Sequence, residues 1–389
     1  MTGPGRRPEP RWHQLLDALL ARRVELTSEI CDRMRQRLAM YQELPKEQFE
    51  SDVGLAMETT VRLARLDPPS LSPERTGVLE RVGEAQAQIG VPVEQMLLAW
   101  RIGVDALVEW GSAEADRLGL DAVELLGFMR ATQAASDVGM VNTARAHRLA
   151  ELERDREAQD RRASFVRAVL FGTGEPAALR ATAKTYGLDP ARAYYAVRAR
   201  PADGTPLGAA ARAVGLAEAG ATGRGMSVAV DGDLAGFQLD PPGDAAPARA
   251  GGGPSVPFDR LAESFRLASR ALRAVCALGL TGTRDLAQLG LRAAVVADRD
   301  VGATLRRRYL EPLAATGSGA EIIASLRTYL AAGGHVETAA ERLHIHPNTL
   351  RYRLARFEEL AGVHLREPLV GFEVWWAIES SAVVDVAPE

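Results

Sequence analysis

The chain has 389 residues, enough for two or three cores of ordinary size and too many for one small binding module. A hydrophobic fraction of 47% and a charged fraction of 25% exclude wholesale disorder, a collagen-like repeat and a membrane-embedded protein. The formal charge of −4 gives the whole molecule no pull toward nucleic acid or anionic lipid, so any such affinity has to be local.

Residues 1–11, rich in Pro, Gly and Arg and without an apolar signal core, read as a disordered tail. Nowhere do 18 uncharged apolar residues follow one another, so neither a membrane span nor export is expected and the chain is placed in the cytoplasm. Cys31 and Cys276, far apart in helical sequence, offer neither a disulfide framework nor a multi-cysteine zinc site. Residues 12–150 are helical almost throughout. Leu15, Leu16, Leu19, Leu20 and Val24 recur at three and four positions, and the breaks fall at Pro45, at Pro68 and Pro69, and between Gly90 and Pro92. Residues 151–164 read as a solvated connecting helix. Leu149, Leu152, Arg156, Gln159, Ala163 and Val166 have heptad spacing, but two of the six positions are polar.

Residues 165–312 read as an α/β domain. Tyr194 to Arg198 is a candidate strand, and Met226–Val230 and Ala235–Leu239 alternate about the turn Asp231-Gly232-Asp233 as a hairpin does. Pro241 to Pro257, with Gly251, Gly252 and Gly253, reads as a mobile surface loop. Leu261, Phe265, Ala268, Leu272 and Val275 then mark one face of a helix, and residues 313–319 form a linker by composition. The fold class that follows is multidomain and mainly α: an all-helical N-terminal domain, a central α/β domain, and a helix-turn-helix domain over 320–389.

Chemistry concentrates in that last domain. Ile322, Ile323, Leu326 and Leu330 line one helix, which Gly333 and Gly334 end; Ala339, Ala340 and Leu343 line a second, short one. Ile345 plugs the turn, and Pro347 suits the first position of a third helix, where its missing N–H costs nothing. On a 3.6-residue helix Leu350, Leu354, Phe357 and Ala361 form the buried stripe. Asn348, Tyr352 and Arg356 fall on the opposite face, Thr349 and Arg351 flank it, and Arg353 lies near the core edge. Asn and Arg can form paired hydrogen bonds to base edges, while Thr, Tyr, further Arg and His346 can hold phosphates or cap the helix. Arg342, Arg351, Arg353 and Arg356 make a basic patch on an acidic chain. Binding to double-stranded DNA is therefore expected to be salt-sensitive and to need a homodimer presenting two patches.

The run Ile345-His346-Pro347-Asn348-Thr349-Leu350-Arg351-Tyr352-Arg353-Leu354, with Gly334, Ala339, Ala340 and Leu343, resembles the C-terminal helix-turn-helix of the PucR/CdaR family of bacterial transcriptional regulators, a Fis-like variant, over about 320–378. Pro347 stands where that family often has a basic residue. The central segment resembles the degenerate GGDEF-like domain of the same regulators at Ser264-Phe265-Arg266-Leu267-Ala268 and Ala271-Leu272, although its Gly/Pro-rich loop departs from their usual hairpin. The N-terminal helices are similar to the RsbR-type sensor domain of stress regulators, a globin-like fold usually without haem. The resemblance implies a dimeric DNA-binding regulator controlled through its N-terminal and central domains by a small-molecule or protein signal that the sequence leaves open.

Other chemistry finds no support in the sequence. There is no Gly-Gly-Asp/Glu-Glu-Phe motif for a cyclase, Gly172-Thr173-Gly174 lacks the rest of a phosphate loop, and no serine sits in a nucleophile elbow. His344 and His346 have no Cys or carboxylate at ligand spacing, so no metal or cofactor is expected. Trp375 and Trp376, with Phe372 and Ile378, read as core packing. A stress-signalling scaffold with vestigial DNA binding is the competing reading, but it has no need of exposed Asn348, Thr349, Arg351 and Arg356.

Overall fold

The helical periodicity of the first 150 residues is realised as five complete helices and most of a sixth. In this computed structural model residues 10–314 and 316–383 are described; residues 1–9 of the expected tail lie outside the described residues. Pro10 and Arg11 already turn into the first helix, their carbonyls accepting from the His13 and Gln14 amides. The chain divides into two compact units, Met1–Gln159 and Asp160–Glu389.

The first unit holds α1 (His13–Ala21), α2 (Arg23–Arg37), α3 (Lys46–Leu63), α4 (Pro73–Gln88), α5 (Val93–Leu118) and most of α6 (Ala122–Phe171). Leu15, Leu19, Leu26, Ile30, Met57, Met96, Leu107 and Phe128 share one core. Gly111 of α5 allows the Phe128 ring to lie where a Cβ would otherwise stand. His147, fully buried on α6, hydrogen-bonds through Nε2 to the Val91 carbonyl at 2.7 Å and so ties α6 to the turn before α5. The expected connecting segment 151–164 is continuous helix, part of the 50 residues of α6. Leu149 and Leu152, the apolar start of the heptad seam, are exposed.

The second unit opens with the end of α6, whose Phe165, Val166, Val169 and Leu170 pack in the core beside the central sheet. After α7 (Pro176–Thr185) come β1 (Ala193–Arg200), the short helices α8 (Leu207–Ala213) and α9 (Leu216–Ala221), the hairpin β2 (Gly225–Val230) and β3 (Asp233–Gln238), β4 (Arg249–Pro257), α10 (Leu261–Ala277) and β5 (Gly282–Arg284). The sheet order is β2-β3-β1-β4-β5, with only β4 and β5 parallel.

One expectation is overturned here: the Gly/Pro-rich run read as a surface loop contains β4, an interior strand. Its glycines answer to α10. Side chains alternate along a strand, so Gly251 and Gly253 share a face, and a Cβ on either would overlap α10 backbone at Ala268 and Leu272 or at Ser264. Ser264 also mends the irregularity between Tyr195 and Val197, accepting from the Ala196 amide at 3.2 Å and donating to the Pro254 carbonyl at 2.7 Å. Where the strand pairing breaks, this hydroxyl satisfies both strands.

After α11 (Leu286–Leu289) and α12 (Arg292–Ala297), the remaining helices are α13 (Arg299–Tyr309), α14 (Glu311–Ala314), α15 (Gly319–Ala331), α16 (Val336–Arg342), α17 (Pro347–Ala361) and α18 (Pro368–Ser381). The expected 313–319 linker is corrected as well. Leu313 and Tyr309 are fully buried with Ile322, Leu326, Leu350 and Phe357, so the C-terminal core begins before the compositional break. Ala315 lies outside the described residues. Next to it Thr316 and Gly319 close tight turns through the Leu313 and Thr316 carbonyls. Tyr309 anchors α13 to α18 by donating its hydroxyl to Glu373.

Cys31 and Cys276 are both free and buried. Burial pushes the Cys31 thiol up to about 12 and raises that of Cys276. Both should therefore resist an aromatic disulfide reagent at pH 8 in the folded chain and react together in denaturant, because the thiolate is the nucleophile. Stoichiometric labelling of the native chain within minutes would contradict this packing.

Candidate nucleic-acid interface

The module is built from α15, α16 and α17. Gly333 and Gly334, at φ 65° and 82°, turn the chain out of α15, and the Gly334 amide reaches back to the Tyr329 carbonyl at 3.0 Å. Ala339 and Ala340, buried on α16, have side chains small enough for close helix crossing. The turn that follows is tight. His344 adopts φ 53°, a left-handed conformation that glycine usually takes, while the Ile345 amide bonds the Ala340 carbonyl at 3.0 Å and closes the end of α16.

The start of α17 agrees with the sequence reading. Pro347 is its first residue, His346 its N-cap and Gly362, at φ 66°, its left-handed terminator. His346 Nδ1 accepts from the Asn348 amide at 3.2 Å, which leaves Nε2–H as an outward donor. Leu350, Leu354 and Phe357 are buried as expected, and Leu343, Ile345 and Ala361 pack half-buried at the margin.

On the outer face Asn348, Thr349, Arg351 and Tyr352 are exposed, Tyr352 at 71%. Asn348 and Arg351 are joined, Arg351 Nη1 donating to Asn348 Oδ1 at 3.0 Å, and Arg351 Nη2 meets Glu337 Oε1 of α16 at 2.6 Å. Arg356 is half-buried and pairs with Glu359 at 2.6 Å. Arg353 points elsewhere. It donates to Glu321 and reaches Ser325 Oγ at 3.4 Å, both on α15, so it ties two helices together rather than standing on the outer face. The partners Glu337 and Glu321 were not singled out in the sequence; Glu337 lies 14 residues before Arg351, beyond any single-helix spacing.

The arrangement presents a short helix, a tight turn and a capped second helix with Asn, Thr, Arg and Tyr over its first turns. Helix-turn-helix proteins present a second helix of this kind. Residues 322–380 match the family model of the PucR C-terminal helix-turn-helix domain. The C-terminal module is a PucR-type helix-turn-helix domain. Residues 24–162 match the N-terminal domain of the RsbT co-antagonist protein rsbRD, and residues 163–321 lie between the two matches.

Among curated relatives, uncharacterized proteins of Mycobacterium bovis and of two Mycobacterium tuberculosis strains are 32% identical over 120 residues, 30% of this chain. The match spans 28% of the length of those relatives. A solved structure, a regulator of polyketide synthase expression from Bifidobacterium adolescentis, aligns over 57% of this chain and 97% of its own at 18% identity and a TM-score of 0.28.

The PucR-type module ends on α18. Val374, Ala377 and Ile378 are buried, whereas Trp375 and Trp376 are half-buried and Phe372 is exposed, so the tryptophans only border the core. Among the described residues no helix is long and apolar enough to cross a membrane, and no group of three His, Cys, Asp or Glu side chains could hold a metal ion.

Proposed function

We propose that the protein is a sequence-specific, DNA-binding transcriptional regulator that acts as a homodimer, with α17 in the major groove. The observation that carries this reading is the hydrogen-bonded pair of Asn348 and Arg351 on the exposed first turns of a capped helix in a PucR-type module. Asn348 and Arg351 read base edges; Thr349, Tyr352, Arg356 and the Nε2–H of His346 hold the backbone. Arg353 is the one candidate whose role moves inward, to holding α17 on α15. The RsbRD-like N-terminal domain and the central α/β domain, which we read as a degenerate GGDEF-like domain, pass a signal to that module. Exposed Leu149 and Leu152 on α6 offer apolar surface for the second copy.

Genome-wide footprinting of the full chain tests the proposal. It should reveal discrete sites with two half-sites about one helical turn, roughly 34 Å, apart. Asn348→Ala should erase those footprints while leaving the circular dichroism spectrum and melting temperature unchanged. Equal occupancy by parent and variant, or no discrete sites for the parent, would defeat it.

A further inference from the structure

The core of the first unit is not filled. A cavity of ≈ 50 Å³ lies among α2, α3, α4 and α5, walled by Ile30, Met34, Met57, Met96, Trp100 and Leu107. Asp52 of α3 and Gln86 of α4 line it too, and the same two residues line a second, smaller cavity of ≈ 30 Å³ beside it. The Gln86 carbonyl oxygen is taken by the Tyr41 hydroxyl at 3.0 Å. Asp52 has neither an ion pair nor a side-chain hydrogen bond among the described residues, and burial raises its carboxyl above the usual range with no cation to offset it. A half-buried carboxylate without a donor, in a cavity lined mainly by apolar side chains, is costly unless something else supplies one.

A second observation concerns Gly103, in the middle of α5. Glycine inside a helix is unfavourable relative to alanine by roughly 0.5–1 kcal/mol. At two other helix positions of this unit glycine is enforced: a Cβ at Gly139 would lie 2.7 Å from the Trp100 ring, and one at Gly111 would enter Phe128. At Gly103 nothing forbids a side chain. The nearest atoms to a Cβ would be Met34 Cε at 3.8 Å and Ile30 Cγ2 at 3.9 Å, ordinary contacts, and the glycine itself faces the cavity. The missing methyl therefore keeps space open rather than relieving a clash.

We infer that this cavity is a binding site for a small amphipathic amine, its alkyl part among Met34, Met57, Met96 and Leu107 and its ammonium on the Asp52 carboxylate. Flexible methionines let the walls fit chains of different shape, and the volume restricts the ligand to a few non-hydrogen atoms. The cation supplies both the hydrogen bond and the charge that Asp52 lacks.

Butylamine and propylamine are the probes, with butan-1-ol and propan-1-ol as neutral controls, titrated into the full chain by calorimetry and followed by melting temperature. The amines should bind in the millimolar range or tighter and raise the melting temperature; the alcohols should bind at least tenfold more weakly. Asp52→Asn, nearly isosteric, should remove that preference. Gly103→Val, which places carbon in the cavity, should abolish binding of both classes. Absence of amine binding, amine and alcohol binding alike, or binding unchanged in Asp52→Asn would each overturn the assignment; should Gly103→Val misfold, Asp52→Asn still decides.

Discussion

Gly251→Ala is expected to destabilise the second unit by about 3 kcal/mol or more, at the upper end of what overpacking costs, although it adds a single methyl group. The Cβ would point into α10 and overlap the Ala268 carbonyl and the Leu272 amide, and backbone on a helix cannot rotate away as a side-chain tip can. Relief requires the whole of α10 to lift from β4, which would also stretch the bonds of Ser264 to Ala196 and Pro254. Gly279→Ala is the control. Gly279 follows α10 at φ 65° with nothing within 4 Å, so its cost should be only the left-handed backbone penalty, roughly 1–2 kcal/mol. Denaturant unfolding of the two variants measures the difference. Equal losses would mean that α10 does not press on β4 as described.

The second large effect separates two arginines that lie two residues apart on α17. Arg351→Ala is expected to weaken specific DNA binding by about 1–3 kcal/mol, roughly five- to 150-fold, with almost no change in stability. Arg353→Ala should do the reverse. It removes the ties to Glu321 and Ser325, costs up to about 1 kcal/mol of stability, and leaves sequence preference intact. Glu337→Gln adds a directional check, because releasing Arg351 from its carboxylate partner should tighten binding. Titration of the variants against one footprinted site, beside their melting curves, tests the assignment. A uniform loss across both arginines would show a general cationic surface instead of a reading pair.

The parts of this chain legible from sequence are those where local signals and long-range packing agree. α17 is the clearest case: Pro347 and the stripe Leu350, Leu354 and Phe357 all belong to one helix and each acts within a turn or two of its neighbours. β4 was illegible because its composition answers to a helix up to 21 residues away. Glycine in isolation signals a turn, and only the approach of α10 explains Gly251 and Gly253 in a buried strand, while Gly252 turns its other face to Pro242. α8 and α9 escaped notice for a related reason, since runs of Ala with few large apolar residues carry little periodic signal. Leu313 looked like part of a linker because its neighbours are Ala, Thr, Gly and Ser, yet its burial is decided by α15 and α17. At the site, residue types and exposed face were readable, while ion-pair partners on other helices were not. That is why Arg353, although near the core edge, was counted in the basic patch with Arg351 and Arg356.

The carboxylates set beside the arginines of α17 also alter what drives association. A cationic side chain that meets duplex DNA ordinarily gains by freeing condensed small ions into solution. Arg351 and Arg356 each hold a carboxylate of the same chain, Glu337 and Glu359, which cannot diffuse away. Exchanging such a partner for a phosphate gains little entropy, so the reading face should grip random sequence weakly. Whatever residence it achieves on a genome then rests on matched hydrogen bonds to bases, and the time lost on wrong sites is short.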